Sequence, residues 1–192
     1  MAVWTPGSYL VREFARHIES VAATTLDGKP LPVDKSCKNR WRIETHGTNR
    51  VQVTYRLYCR EVSVRTNWVE AGFALLKGAR TFLTVVGDNA RPYEVKLILP
   101  ERWQTTMTGL PSVASGAAHH YWAPDFDTLV DSPILAGNPA VYPFTVDGKP
   151  HLLVNEGEGG VWDGAQAVRD VEQLVQTHWR LWGGSLPYEK YV

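Results

Sequence analysis

The residue types most able to do chemistry are scattered. Six histidines occur, His17, His46, His119, His120, His151 and His178. None opens a His-Glu-x-x-His run, in which two imidazoles one helical turn apart bind zinc and the Glu serves as base. His119 and His120 are adjacent, and in a strand their rings face opposite sides, a poor chelate. His178 lies on a helical stripe and reads as a core or interface residue. No Gly-x-Ser-x-Gly elbow is present, so Ser8 does not read as a lipase-like nucleophile. Gly157 to Gly160 lacks the Lys-Ser/Thr of a phosphate loop. Asp125, Asp127 and Asp131 read as capping and solvated carboxylates, with an acid/base pair as the sharper alternative. On motifs alone the chain carries no complete active site and no metal ligand set.

The least generic stretch is Trp4-Thr5-Pro6-Gly7-Ser8-Tyr9-Leu10-Val11-Arg12-Glu13-Phe14-Ala15-Arg16. Pro6 fixes φ and Gly7 accepts positive φ, which enforces a turn between Trp4 and Tyr9. A turn that gathers aromatics and guanidinium groups is either a packing corner or the edge of a recognition site. Cys37 and Cys59 form no framework and no Cys-x-x-Cys.

The elements that would position these residues are mostly strands. Arg12 to Thr25 is ambiguous between helix and strand, with the second half leaning to strand. Asp27-Gly28 signals a turn. Trp41, Ile43 and Thr45 alternate with polar neighbours, as do Val51, Val53, Tyr55, Leu57 and Cys59, so each reads as a half-buried strand. With His46 to Asn49 as the turn, Ile43 would pair with Val53 and Trp41 with Tyr55. Extending that register would place Cys37 opposite Cys59. Two separate thiols are the plainer reading, because Lys38-Asn39 breaks the strand.

Further strands are expected over Val62–Trp68, Thr81–Val86, Tyr93–Leu99, Trp103–Thr108 and His119–Trp122, and Gly72–Leu76 is an apolar run that ends at Lys77-Gly78. Asp125 can cap a short helix that Pro133 ends. Val141–Val146 and His151–Val154 flank Asp147-Gly148 as a hairpin. Glu156 to Gly160 reads as a flexible acidic loop. Asp163 can cap the only long helix, with Val168, Val171, Val175, His178 and Trp182 on one stripe and Leu174 and Leu181 widening it. Gly183-Gly184 and Pro187 stop it. The expected fold is mainly β: an antiparallel β-sandwich-like domain over residues 1–124. A small α+β segment with one long helix follows over 125–192.

Composition narrows the function classes. The 192 residues hold 20 Lys+Arg and 20 Asp+Glu. That balance argues against nucleic acid or an anionic membrane as the main partner. No apolar run approaches the ~18 residues of a bilayer span. The first residues show no signal-peptide pattern, so the chain reads as cytoplasmic. Eight tryptophans suit either an aromatic core or a surface that binds peptide or carbohydrate.

The stretch Trp4 to Arg16 resembles the amino-terminal domain of the glycyl-aminopeptidase family of zinc metallopeptidases. The resemblance continues through Trp41, Arg65-Thr66-Asn67, Leu99-Pro100 with Trp103, Asp127-x-Leu129-Val130-Asp131-Ser132-Pro133-Ile134, and Gly183-x-x-x-Pro187-Tyr188-x-x-Tyr191. It implies a β-rich domain followed, after Asp131-Ser132-Pro133, by the start of a thermolysin-like catalytic domain. It further implies that the parent enzyme polarises a scissile carbonyl with zinc and uses a Glu-activated water on small amino-terminal residues. The chain departs from the family pattern by lacking its zinc motif and its first strands. It reads as a fragment with no cofactor of its own and no activity alone. Its expected partners are the missing catalytic domain and, in the parent, a peptide. Tyr9 and Arg12 are expected on the substrate side of the interdomain cleft. The helix stripe, missing its natural cover, would leave apolar surface exposed for self-association. A stand-alone peptide- or carbohydrate-binding β module is the alternative.

Overall fold

The computed structural model describes every residue except Val62 and Glu158. The sequence readings that touch those two positions, in the 62–68 strand and the 156–160 loop, lie there outside the described residues.

The fold is mainly β, with antiparallel pairing between all named strands and one long helix near the C-terminus. After the opening loop, a 3-10 turn at Phe14–His17 feeds β1 (Ile18–Thr24). Strands β2 (Pro30–Leu31), β3 (Val33–Cys37), β4 (Arg40–Ile43) and β5 (Gln52–Leu57) follow. Next come β6 (Trp68–Val69), β7 (Ala74–Leu76) and a single helical turn, α1 (Gly78–Thr81). Then β8 (Tyr93–Lys96), β9 (Thr105–Thr108) and β10 (His120–Ala123) lead into α2 (Phe126–Asp131). The chain finishes with β11 (Ile134–Gly137), β12 (Ala140–Val146), β13 (Lys149–Asn155) and α3 (Gly164–Leu181). No helix among the described residues is long and apolar enough to cross a membrane.

The expected pairing of β4 with β5 does not form. The turn at 45–48 closes, with Thr48 N–H donating to the Thr45 carbonyl at 3.0 Å. Its two flanks then go to different partners. β4 pairs with β3 through a tight hairpin at Lys38-Asn39, Cys37 opposite Arg40 and Val33 opposite Ile43. β5 pairs with β1, Ala23 opposite Val53 and Ile18 opposite Leu57. Cys37 therefore does not face Cys59, and both thiols are free. The alternation marked both strands correctly. Partner choice was set by Lys38-Asn39, which serves as a two-residue connection and not merely as a break.

Further expectations change. Of the described residues in the strand expected over Val62–Trp68, only Trp68 enters a strand, β6, and Thr66 N–H closes a turn onto the Ser63 carbonyl at 3.2 Å. Thr81–Val86 is not a strand. Thr81 ends α1, and Phe82 N–H returns to the Gly78 carbonyl at 2.9 Å, a helical bond. Ile134–Gly137, where no strand is expected from the sequence, is a strand hydrogen-bonded between β7 and β9. Both helix caps do form. Asp125 accepts from Thr128 N–H and Asp163 from Gln166 N–H.

The main core gathers Phe14, Ala15, Ala79, Leu110, Tyr121, Phe126, Leu129 and Val130, with Trp4, Trp41 and Tyr93 packed on its margin. Here α1 crosses α2 closely. A Cβ on Gly78 would stand 2.6 Å from the Leu129 carbonyl oxygen and the Val130 Cα, so only glycine fits.

Candidate functional site

Trp4 to Arg16 forms a closed loop between two concavities. Ser8 N–H donates to the Thr5 carbonyl at 3.2 Å, which makes Pro6-Gly7 the centre of a β-turn, with Gly7 at φ +70°. Arg12 N–H reaches the Val3 carbonyl at 2.6 Å and shuts the loop. Trp4 packs edge-on against Phe126, the rings 6.4 Å apart and nearly perpendicular. That end of the loop is a packing corner. Tyr9, Leu10 and Val11 project into solvent.

The larger concavity is an open groove of about 1330 Å³. Trp4 and Pro6 form part of one wall, Asp127, Asp131, Ser132 and Pro133 another, and Tyr188 and Tyr191 a third. The C-terminal wall is anchored by a buried ring. His151 is 1% exposed and stacks on Phe144 at 4.8 Å. Its Nδ1–H donates to the Lys149 carbonyl at 3.0 Å, and its Nε2 meets the Tyr188 hydroxyl at 2.9 Å. Tyr191 exchanges backbone bonds with Pro150 and Leu152, and Lys190 Nζ donates to the Leu110 carbonyl at 3.1 Å. Burial pushes the Lys190 ammonium below its usual range.

The smaller concavity, about 250 Å³, lies on the Arg12 side of the loop. Its walls carry Arg12, Arg16, Arg65 and Arg80, with His17, Glu13 and Glu61 among them. Arg80, on α1, is 1% exposed and donates through Nη2 to Glu61 at 2.6 Å. Arg16 Nη2 donates to the other oxygen of Glu61 at 3.0 Å. The Arg80 hydrogen bond foremost, against the opposing effect of burial, holds the Glu61 carboxyl below the usual carboxylate range. His17 Nε2 also lies 3.2 Å from Glu61. That contact is not an ion pair, because Nε2 accepts the Arg16 Nε–H at 2.7 Å and so carries no proton. Burial, then Arg80 and Arg16, push the His17 pKa down, in keeping with a neutral ring.

Local hydrogen bonds fix this cluster. Asn67, fully buried, accepts the Lys77 N–H at 2.8 Å and donates to Thr81 Oγ1 at 3.0 Å. Thr66 Oγ1 bonds the carbonyls of Glu61 and Ser63. Tyr55 donates its hydroxyl hydrogen to the Thr81 carbonyl at 2.7 Å. The Thr66-Asn67 pair thus ties the Glu61 turn to the helical turn that carries Arg80.

Of the two residues expected beside substrate, Arg12 lines the smaller cleft and Tyr9 lines neither concavity. The structure does not bring them into one site. No motif or periodicity marks Arg65, Arg80, Glu61 or His17 as site residues. Arg80 falls in a Gly-Ala-Arg-Thr run, and nothing in its spacing signals that α1 buries it. His119 Nδ1 meets Thr106 Oγ1 at 2.9 Å, whereas His120 Nε2 meets Glu94 at 3.1 Å, so the adjacent histidines serve different partners. His178 is exposed. Among the described residues no three His, Cys, Asp or Glu side chains are grouped to hold a metal ion. The described residues offer no ligand set that fits a zinc ion.

Residues 1–138 match the Peptidase M61 N-terminal domain family. The chain belongs to that family, and it carries the amino-terminal domain of a peptidase. Among solved structures it is similar to an aminopeptidase N family protein from Idiomarina loihiensis, with TM-score 0.87 and 28% sequence identity. The likeness covers 100% of this chain and 32% of that one, so the chain spans about a third of that protein's length. A search of curated proteins finds no match.

Proposed function

We propose that the chain is the amino-terminal part of a zinc-dependent aminopeptidase that removes small amino-terminal residues from peptides. The observation that carries this reading is the superposition of the whole chain on a third of an aminopeptidase N family protein. Zinc and its chemistry would reside in the remainder of the polypeptide, since this segment offers no ligand set among its described residues. The role of this segment is to bind and position. Its large groove is walled by residues of the recurring motifs, Trp4, Asp131-Ser132-Pro133, Tyr188 and Tyr191. That placement suits a surface on which the catalytic domain of the same polypeptide, or the peptide between the two, is seated. Tyr9 and Arg12 remain our proposed contacts on the substrate side, Tyr9 because its ring is free in solvent.

The test uses the whole polypeptide that carries this domain. It should hydrolyse glycyl and alanyl substrates, lose activity to a chelator and regain it with zinc. Residues 1–192 alone should show neither hydrolysis nor stoichiometric zinc. A whole polypeptide with no His-Glu-x-x-His and no chelator-sensitive hydrolysis would overturn the proposal and favour a binding module. In the active enzyme, Arg12→Ala should raise KM. A change in stability with KM intact would remove Arg12 from the substrate side.

A further inference from the structure

We infer that the small cleft bounded by Arg12, Arg16, Arg65 and Arg80 is a binding site for an oxyanion, a carboxylate or phosphate group. This inference needs no catalytic domain, although it shares Arg12 with the substrate-side contacts proposed above.

Charge is out of balance on its walls. Four guanidinium groups face two carboxylates, Glu13 and Glu61. Glu13 is held by Lys38 on its other side. Glu61 is shared between Arg16 and Arg80. Among the described residues, Arg12 and Arg65 are left with no carboxylate partner. The Arg12 guanidinium donates, among the described residues, to a neutral acceptor, Ser8 Oγ, at 2.7 Å.

Hydrogen bonding is unfinished in the same place. The Nε of Arg80, in a side chain 1% exposed, has no acceptor among the described residues, and neither does the buried Nε of Arg12. A buried donor without an acceptor costs about 1–3 kcal/mol, more when the group is charged. Guanidinium groups offer planar donor pairs that match carboxylate and phosphate oxygens. A cleft of about 250 Å³ admits such a group together with a few waters. One anion would relieve the repulsion among the arginines and accept from the guanidinium N–H groups that line the cleft. The neutral His17 ring leaves room for that charge without adding to it.

The test is a titration of the ¹⁵N-labelled chain at low salt, followed on the arginine Nε–H resonances. The probes are N-acetylglycine, its uncharged analogue N-acetylglycinamide, and inorganic phosphate. We expect saturable shifts of the Arg12 and Arg80 resonances with at least one of the two anions and none with the amide. The anion that saturates first identifies the group the cleft prefers. Arg65→Ala, at an exposed side chain, and Arg12→Gln, which keeps a polar side chain in place, should each weaken binding about tenfold, the loss of one charge-assisted hydrogen bond. Arg102→Ala, outside the cleft, should bind as the parent does. Non-saturating shifts with both anions, or unchanged affinity in a folded Arg12→Gln/Arg65→Ala double variant, would overturn the inference.

Discussion

Glu61 holds Arg16 and Arg80 with its two oxygens while His17 stands neutral beside it. Arg80 is the buried partner, and Glu61 the half-exposed one. Removing the carboxylate leaves a buried cation without its counter-charge. Glu61→Gln is therefore expected to lower stability by roughly 1–3 kcal/mol in denaturant melts. The pH dependence follows from two depressed pKa values. His17 sits below its ordinary 6.5 and Glu61 below its ordinary 4.5. In both cases the unfolded chain binds the proton more readily, so stability falls as pH falls. The His17 contribution should decline below about pH 6.5 and the Glu61 contribution below about pH 4.5. His17→Gln should remove the first decline and leave the second, measured as the midpoint of thermal unfolding across that range.

At the scale of elements, two close crossings set the geometry around the groove and core. Gly78 lets α1 lie against α2, where the atoms in the way of a side chain are backbone and cannot yield. Gly78→Ala should cost about 1–3 kcal/mol and displace Arg80 with its helical turn. The displacement would read out as a shift of the Arg80 Nε–H resonance. At the foot of α3, a Cβ on Gly164 would collide with the Tyr142 ring of β12. Gly164→Ala should loosen α3 selectively, seen as faster amide exchange across Ala167–Leu181 with β1 and β5 unchanged. The capping carboxylate Asp125 is held below the usual carboxylate range chiefly by the Thr128 N–H. Asp125→Ala should lower stability by about 1 kcal/mol.

At the scale of the molecule, α3 is covered unevenly. Val168, Val171 and Val175 are half-buried, while Leu174, Leu181 and Trp182 are exposed, Trp182 at 76%. An apolar strip of this kind favours association. We expect residues 1–192 to sediment as a concentration-dependent mixture of monomer and larger species. Leu181→Ser/Trp182→Ser should shift it to monomer without changing its circular dichroism. A parent chain that stays monomeric at every concentration would count against the strip as a contact surface.

Local signals in the sequence determined a good part of this protein. Alternation located β5, β8 and β4, glycine and asparagine placed the turns, and Asp125 and Asp163 marked two helix starts. All of these depend on interactions within a few residues, which a linear reading captures. The motif at Trp4 to Arg16 carried the family. Tertiary structure alone decided which strand pairs with which, because an alternating strand presents the same edge to any partner. It made β4 join β3, drew Ile134–Gly137 between β7 and β9, and left the two cysteines apart. It also assembled the arginine cleft from the opening loop, the Glu61 turn and α1. Those segments are distant in sequence, and their charges become a site only when burial of Arg80 and the Asn67 clamp bring them into one small cleft.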